Sequence, residues 1–283
     1  MTSPRHCAVI GNPIDHSRSP FIHEQFAKQT GLALRYDKIR AQAGEFDAVV
    51  ADFFRRGGVG LNVTLPFKGK AYALARPRLD DSATLALAVN TLYRRDDALC
   101  GANTDGGGLL ADLERLRASP ADKRVLLIGA GGAARGIVAP LLLAGCGSLR
   151  IVNRHAERAH ALRRQVQEAL PTAAARLSSG SLDQSTGDWD VVINATSGSL
   201  TGEVPDIADA RYAPGALAYD LVYAAGPTAF MVDARDKGAR VVSDGLGMLV
   251  AQAAESFAIW HGLHPATAPV LAALRQALDA ERQ

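Results

Sequence analysis

The stretch from Arg124 to about Ala144 restricts the fold of this chain more than any other. It opens Arg124-Val125-Leu126-Leu127-Ile128, a continuous apolar run of the kind found in parallel strands buried on both faces. Gly129-Ala130-Gly131-Gly132-Ala133-Ala134-Arg135-Gly136 follows directly and leads into an apolar helical stretch. The spacing is G-x-G-x-x-A, with Ala134 in the third place. Each small residue has a physical task in dinucleotide binding. Gly129 makes the tight turn, Gly131 lets backbone N–H groups approach a pyrophosphate, and Ala134 packs close to the sheet. The partial positive charge of the helix N-terminus then faces the phosphates. A bare strand–helix turn would use the same glycines, but strand, turn and helix in this order point to a dinucleotide.

The end of the next strand selects between cofactors. NAD-binding folds usually carry Asp or Glu there, about 20 residues beyond the glycines, to hold the ribose hydroxyls. Here the strand ends Ile151-Val152-Asn153-Arg154, with Arg158 a helical turn further on and no carboxylate at the strand end. A carboxylate would repel a ribose phosphate, whereas guanidinium groups pair with it in planar, charge-assisted contacts. The residues therefore favour NADP over NAD. Read blandly, Arg154 and Arg158 are solvated residues at a helix start.

Strand and helix alternate along most of the remaining chain. Cys7 to Ile10, Leu32 to Ile39, Val59 to Thr64 and Val89 to Tyr93 read as strands. A helix begins at Ser19-Pro20, with Ser19 as its cap, and runs toward Thr30. Phe46, Val49, Val50, Phe53 and Phe54 lie at helical spacing, and Gly57-Gly58 ends that helix. Beyond the glycine-rich turn, Leu149 to Val152, Val191 to Ile193 and Ala216 to Val222 read as strands and His155 to Leu170 as a helix. Such alternation implies right-handed crossovers and a mostly parallel, doubly wound sheet. Leu246, Leu249, Val250, Ala253, Phe257 and Trp260 mark a late helix with one buried face. A helix from about Asp105 is the other long element able to link two units.

The chain has 283 residues, enough for two modest domains, and 48% are hydrophobic, enough for a core in each. A net charge of +2 gives no reason to expect nucleic acid or an anionic membrane as partner. Cys7, Cys100 and Cys146 are odd in number and far apart, which argues against a disulfide framework or a zinc site and suits a reducing compartment. The start of the chain lacks a signal-peptide pattern, and the most apolar helical stretch, Ile137 to Cys146, is too short to span a bilayer. A cytoplasmic protein without a bound metal is expected.

Several polar segments look unlike plain scaffold. They are Gly11 to Pro20 (GNPIDHSRSP), Asn62 to Lys68 (NVTLPFK), Ala88 to Thr91 (AVNT), Asn103 to Gly106 (NTDG), and Asp244 to Met248 (DGLGM) with Gln252. With the glycine-rich turn, Asn153-Arg154, Ile193-Asn194-Ala195-Thr196-Ser197 and Tyr219-Asp220, they occur in order along nearly the whole chain. This set closely resembles the shikimate dehydrogenase family. The resemblance implies an α/β protein with an N-terminal α/β substrate domain, a Rossmann-type doubly wound parallel-sheet NADP domain, and a C-terminal helix returning to the first domain. The implied limits are 1–104, completed by 245–283, and 105–244. The implied activity is reversible NADPH-dependent reduction of 3-dehydroshikimate to shikimate, in the biosynthesis of chorismate and the aromatic amino acids. A homodimer is compatible with this reading.

Carried over residue by residue, the resemblance makes Lys68 and Asp105 the catalytic pair. It places Ser17, Ser19, Asn62, Thr64, Asn90, Tyr223 and Gln252 around the substrate. Gly129, Ala130, Gly131, Gly132, Ala133, Ala134, Asn153, Arg154 and Arg158 are to hold NADP, with Leu221, Gly245 and Met248 near the nicotinamide. The residue types suit the chemistry. Serine and threonine hydroxyls can bond a carboxylate, and Asn90 and Gln252 can donate and accept at a vicinal diol. A positioned ammonium can stabilise an alkoxide and protonate it. Taken alone, Lys68 is a surface lysine, Asp105 a helix cap and Met248 core packing. The sequence departs from the family pattern at His155, where Thr often follows Asn-Arg; at Leu87-Ala88, where Gly-Ala is more usual; and at Leu221, where Met is common. Two rivals remain at this point: a quinate/shikimate dehydrogenase using NAD, and a non-catalytic NADP-binding paralogue.

Overall fold

The computed structural model describes residues 3–207 and 210–281. The first lobe comprises β1 (Arg5–Gly11), α1 (Ser19–Thr30), β2 (Leu34–Arg40), α2 (Phe46–Arg55), β3 (Gly58–Val63), α3 (Lys68–Ala75), α4 (Asp81–Ala86), β4 (Thr91–Arg95) and β5 (Ala98–Ala102). Its sheet runs β2-β1-β3-β4-β5. The β2, β1 and β3 strands are parallel, and β4 and β5 continue the sheet antiparallel. The β4–β5 hairpin was not expected. Its two-residue turn, Asp96-Asp97, holds φ at 50° and 59°, the backbone of tight hairpins, for which Asn-Gly or Asp-Gly is the usual signal.

One linking helix, α5 (Asp105–Arg115), precedes the second lobe. That lobe holds β6 (Arg124–Ile128), α6 (Gly132–Leu143), β7 (Ser148–Val152), α7 (Ala156–Ala169), β8 (Leu177–Gly180), β9 (Gly187–Asn194), β10 (Ala210–Asp220), α8 (Ala229–Asp236) and β11 (Val241–Ser243). The sheet order is β11-β10-β9-β6-β7-β8, and every pairing is parallel. This is the doubly wound Rossmann arrangement, whose order reverses between β6 and β9. A crevice opens there at the strand C-termini. The buried run Val125 to Ile128 sits at the centre of the sheet, as its composition required.

The chain ends with α9 (Leu246–His261) and α10 (Thr267–Ala280). Both return to the first lobe. Leu246, Val250, Ala253 and Phe257 share one core with Ile22 and Phe26 of α1 and with Val270, Leu274 and Leu278 of α10. Of the residues expected on the buried face of α9, Leu249 alone is only partly buried. α9 also crosses α5 at close range. A side chain at Gly108 would meet the Gln252 Cβ at 2.6 Å and the Met248 carbonyl at 2.9 Å. Only glycine permits that approach, which brings the start of α5 and the middle of α9 to the same crevice.

The reading of Ser19 as helix cap is corrected. Arg18 is the N-cap and gives no side-chain cap bond, while Ser19 is the first helical residue. The Ser17 hydroxyl accepts from the Ser19 N–H at 3.3 Å and donates to the Ser19 Oγ at 3.2 Å. Ser17 thus serves that backbone group, and the Ser19 side chain faces the crevice.

Candidate active site

A cavity of about 490 Å³ lies between the lobes. Ser17, Ser19, Asn62, Thr64, Lys68, Asn90, Asp105, Tyr223 and Gln252 all line it, and so do Ala133, Leu221, Gly245 and Met248. Groups expected at substrate and groups expected at nicotinamide therefore share one space. His16, Leu200 and Leu249 line it as well, although the sequence marked none of them as a site residue.

Lys68 opens α3 and Asp105 opens α5. The Lys68 Nζ donates to Asp105 Oδ2 at 2.6 Å, and the side chains are 14% and 7% exposed. So shielded a pair is held far more firmly than a surface ion pair. The reading of Asp105 as a cap does not hold, because Thr104 is the N-cap of α5 and the Asp105 carboxylate turns toward Lys68. The position at the helix start still favours its negative charge.

Asn90 fixes this carboxylate from the other side. Its Nδ2 donates to Asp105 Oδ1 at 2.8 Å and to Thr104 Oγ1 at 3.0 Å. Its Oδ1 accepts from the Thr104 N–H at 3.0 Å and the Thr91 hydroxyl at 2.9 Å. Gln252 presents its Oε1 to the Thr104 hydroxyl at 3.3 Å and anchors its Nε2 on the Leu249 carbonyl at 2.8 Å. Asn62 Oδ1 accepts from the Tyr36 hydroxyl at 2.7 Å, and its Nδ2 donates to Ser256 Oγ at 3.0 Å. Tyr36, Thr91, Thr104 and Ser256 are supports that sequence reasoning missed. Thr91 and Thr104 lay inside quoted motifs, and Ser256 stands one helical turn beyond Gln252 on α9. Tyr36 looked like any alternating strand residue. The Tyr223 phenol stays protonated to a higher pH than usual because it is buried, an effect Arg18 partly offsets.

The cofactor side is built differently. Gly129 takes φ 111°, and a Cβ there would stand 3.0 Å from the Ala195 carbonyl. Gly131 caps α6, and a Cβ on it would meet nothing within 4 Å, so the turn faces open space. Ala130 and Ala134 are buried, and the first turn of α6 carries no acidic residue. At Gly245, the cap of α9, a Cβ would lie 2.3 Å from the Leu221 carbonyl. Asn153 turns back to its own loop and donates to the His155 carbonyl at 2.9 Å. Arg154 and Arg158 are exposed beside it, and Arg154 lies 3.8 Å from the Glu203 carboxylate. Free N–H groups at a helix start, two guanidinium groups and no strand-end carboxylate form a donor set that fits NADP.

Comparison with known proteins agrees with this geometry. Family models described as shikimate dehydrogenase substrate binding domain, shikimate/quinate 5-dehydrogenase and shikimate 5'-dehydrogenase C-terminal domain match residues 9–92, 113–202 and 245–275. A shikimate dehydrogenase (NADP(+)) of Bordetella petrii is 53% identical over 98% of this chain and 97% of its own. An Ael1 enzyme of Pseudomonas putida superposes with a TM-score of 0.84 at 41% identity, covering 95% of this chain and 98% of that one. The shikimate 5-dehydrogenase of Thermus thermophilus, solved with NADP(H) and shikimate, superposes with a TM-score of 0.84 at 30% identity over 97% of this chain and all of that one. With relatives this similar over nearly its full length, the chain belongs to the shikimate dehydrogenase family.

Proposed function

We propose that Lys68 and Asp105 carry the proton step of the reversible, NADPH-dependent reduction of 3-dehydroshikimate to shikimate, within aromatic amino acid biosynthesis. The observation that carries this reading is the shared cavity, lined by the Lys68–Asp105 pair from one side and by Ala133, Leu221, Gly245 and Met248 from the other.

NADPH, when bound, supplies a hydride to the carbonyl carbon. The negative charge that develops on the carbonyl oxygen is met by the Lys68 ammonium, which donates a proton to it; in the reverse direction the Lys68 amine accepts that proton. Asp105 holds the Lys68 Nζ in place, and Asn90 holds Asp105. Ser17, Ser19 and Thr64 offer hydroxyls to the substrate carboxylate. Asn62, Asn90, Tyr223 and Gln252 complete the polar lining around its ring hydroxyls. Gly129 to Ala134 receive the pyrophosphate, and Arg154 and Arg158 the ribose phosphate. Asn153 shapes the loop that presents those arginines.

The test is Lys68→Ala. Turnover of 3-dehydroshikimate should fall by about 10³-fold or more, while NADPH affinity, read by fluorescence titration, stays close to wild type. Retained turnover would move the proton step to another group. Parallel assays with NADH and with 3-dehydroquinate decide between this reading and an NAD-linked quinate enzyme.

The proposed domain limits are 1–104 with 245–283, and 105–244. No helix among the described residues is long and apolar enough to cross a membrane. The cysteines are free and buried, which supports a cytoplasmic setting. A homodimer is the proposed assembly, and light scattering at the monomer mass of 29.8 kDa would reject it.

A further inference from the structure

We propose that Asp220 is a positioning residue for this reaction: its buried carboxylate ties the connection that follows β9 to the connection that follows β10, on one side of the cavity. The proposal rests on the function read above. Asp220 ends β10, is fully buried, and does not itself line the cavity. Its Oδ2 accepts from the Ser199 hydroxyl at 2.6 Å and from the Thr228 hydroxyl at 2.6 Å. Its Oδ1 accepts from Asn194 Nδ2 at 3.1 Å and from the Val222 N–H at 3.1 Å. None of the ion pairs among the described residues involves Asp220.

A buried carboxylate without a cation is unfavourable unless its lone pairs are well served. Four donors serve this one, two of them at the short distances of charge-assisted bonds. The donors come in two pairs, Asn194 and Ser199 at and after the end of β9, and Val222 and Thr228 between β10 and α8. Ser199 lies in the short turn Gly198–Thr201, and the next residue, Leu200, lines the cavity although it is 71% exposed. Val222 stands between Leu221 and Tyr223, which both line the cavity. Thr228 caps α8 and accepts from the Met231 N–H at 3.3 Å. Asn194 extends the hub, because its Oδ1 accepts from the Thr196 N–H at 3.1 Å and the Thr196 hydroxyl at 2.7 Å. The Asn194–Thr196 segment passes over Gly129, where the Ala195 carbonyl makes its close approach. One carboxylate thus sets the distance between the Leu200 turn and the Leu221–Tyr223 segment, and the Asn194–Thr196 segment that it holds lies against the phosphate turn. Loosening it would misplace cofactor and substrate contacts together, without touching the group that moves the proton.

The donor geometry distinguishes the substitutions. In Asp220→Asn, the amide oxygen can keep the two N–H donors while the amide nitrogen faces Ser199 and Thr228, whose hydroxyls can turn to accept. This variant should stay within a few-fold of wild type. Asp220→Ala removes the shared acceptor of four donors, of which Asn194 keeps a second partner in the Ser199 hydroxyl at 3.3 Å. Its folded fraction should show KM for both NADPH and shikimate raised by about 10- to 100-fold, with an unshifted kcat–pH profile because Lys68 is intact. Ser199→Ala removes the half-buried hydroxyl that donates to Asp220 and accepts from Asn194 Nδ2 at 3.3 Å, and should raise KM for NADPH with little change in melting temperature. If Asp220→Ala fails to fold, Ser199→Ala and Asp220→Asn still carry the test. Wild-type KM values in Ser199→Ala and in folded Asp220→Ala, beside an active wild type, would reduce Asp220 to a purely structural residue and overturn the proposal. A wild type inactive with 3-dehydroshikimate would instead overturn the function on which it rests, and the proposal with it.

Discussion

The substrate wall of the cavity and the proposed cofactor wall, which continues beyond it from Ala133, are built on opposite plans. On the substrate side the polar groups are buried and joined: Asn62, Asn90, Thr104 and Asp105 are each under 10% exposed, and Lys68 is held at 2.6 Å by Asp105. The proposed cofactor side offers bare backbone and two solvated arginines, with the Arg154 side chain 78% exposed. The difference follows from the ligands. A small polyol carboxylate must be fixed to a fraction of an ångström against a proton donor, which demands groups locked in a low dielectric. A dinucleotide spreads its phosphates along a helix start and the protein surface, where charge type matters more than fine placement. Lesions on the first wall should therefore strike turnover and stability, and lesions on the second should strike cofactor affinity in a salt-dependent way.

Acid should expose the largest difference. His23 packs behind the substrate wall, fully buried, stacked on Tyr36 at 4.3 Å and on Trp260 at 5.3 Å. Neither ring nitrogen has a hydrogen-bond partner; Asn62 is a polar neighbour, outside bonding geometry. Burial pushes its pKa down to about 3, and the charge on His261 adds to the effect. Between pH 6.5 and 3 the unfolded chain takes up a proton that the folded state refuses, so stability falls as pH falls through that window. The upper bound of the loss is about 5 kcal/mol. His261, lowered to about 4 by burial and by Arg5, acts in the same direction. Urea unfolding at pH 7, 5.5 and 4.5 should show His23→Leu losing less stability toward acid than wild type. Equal losses would assign the acid sensitivity to carboxylates elsewhere and remove the substrate lobe's special status.

Asn90→Ala comes next. It removes one partner each from the Thr91 hydroxyl, which keeps Ser256, and the Asp105 carboxylate, which keeps Lys68, and it leaves the buried Thr104 N–H without its acceptor, a loss worth about 1–3 kcal/mol. We expect kcat/KM to fall by roughly 10²- to 10³-fold, most of it in kcat. A change confined to KM would mean that Asp105 keeps its place without this amide. Arg154→Ala and Arg158→Ala are the milder counterpart on the other wall. Each should raise KM for NADPH by about 10-fold, leave KM for NADH unchanged, and matter less at high salt. An equal rise for NADH would show that the arginines do not read the ribose phosphate. Glu203, 3.8 Å from Arg154, makes the sign informative, since Glu203→Gln should lower KM for NADPH.

How much of this was legible in the sequence differs between the two walls. The cofactor wall is local: an apolar strand, glycines at fixed spacing and a helix lie within one continuous segment, so Gly129 to Ala134 could be read directly. The substrate wall is assembled from six distant segments, and only their resemblance to a known family united Ser17, Lys68, Asn90, Asp105, Tyr223 and Gln252. Its supporting layer was illegible. Tyr36 alternates in β2 like any half-buried strand residue, and nothing local marks the phenol that orients Asn62. Asp220 stood in a quoted motif without a role, because its four donors come from Asn194, Ser199, Val222 and Thr228. The error at Ser19 has a related cause. Ser19-Pro20 matched a helix start, but tertiary demand for a hydroxyl in the crevice moved the capping task to Ser17.

The smallest expected effect concerns a residue that the family pattern marks as unusual. Leu87 ends α4 with φ 47° and ψ 38°, and its N–H donates to the Ala83 carbonyl. A left-handed helix end is where glycine is normally found, which explains why Gly-Ala is the commoner pair before Val-Asn-Thr. A leucine held there costs about 1–2 kcal/mol in backbone strain, offset in part by its half-buried side chain, worth about 1 kcal/mol. Leu87→Ala loses that burial and keeps the strain. Leu87→Gly loses it too but relieves the strain, against about 0.5–1 kcal/mol of added unfolded-chain entropy. Glycine should therefore be more stable than alanine here by several tenths of a kcal/mol up to about 1, the reverse of their order within a helix. Kinetic constants should not change in either variant, because Leu87 lies outside the cavity lining. Thermal unfolding of the pair reads the result. Alanine as the more stable of the two would mean that the backbone at position 87 relaxes without strain, leaving the family's preference for glycine without this explanation.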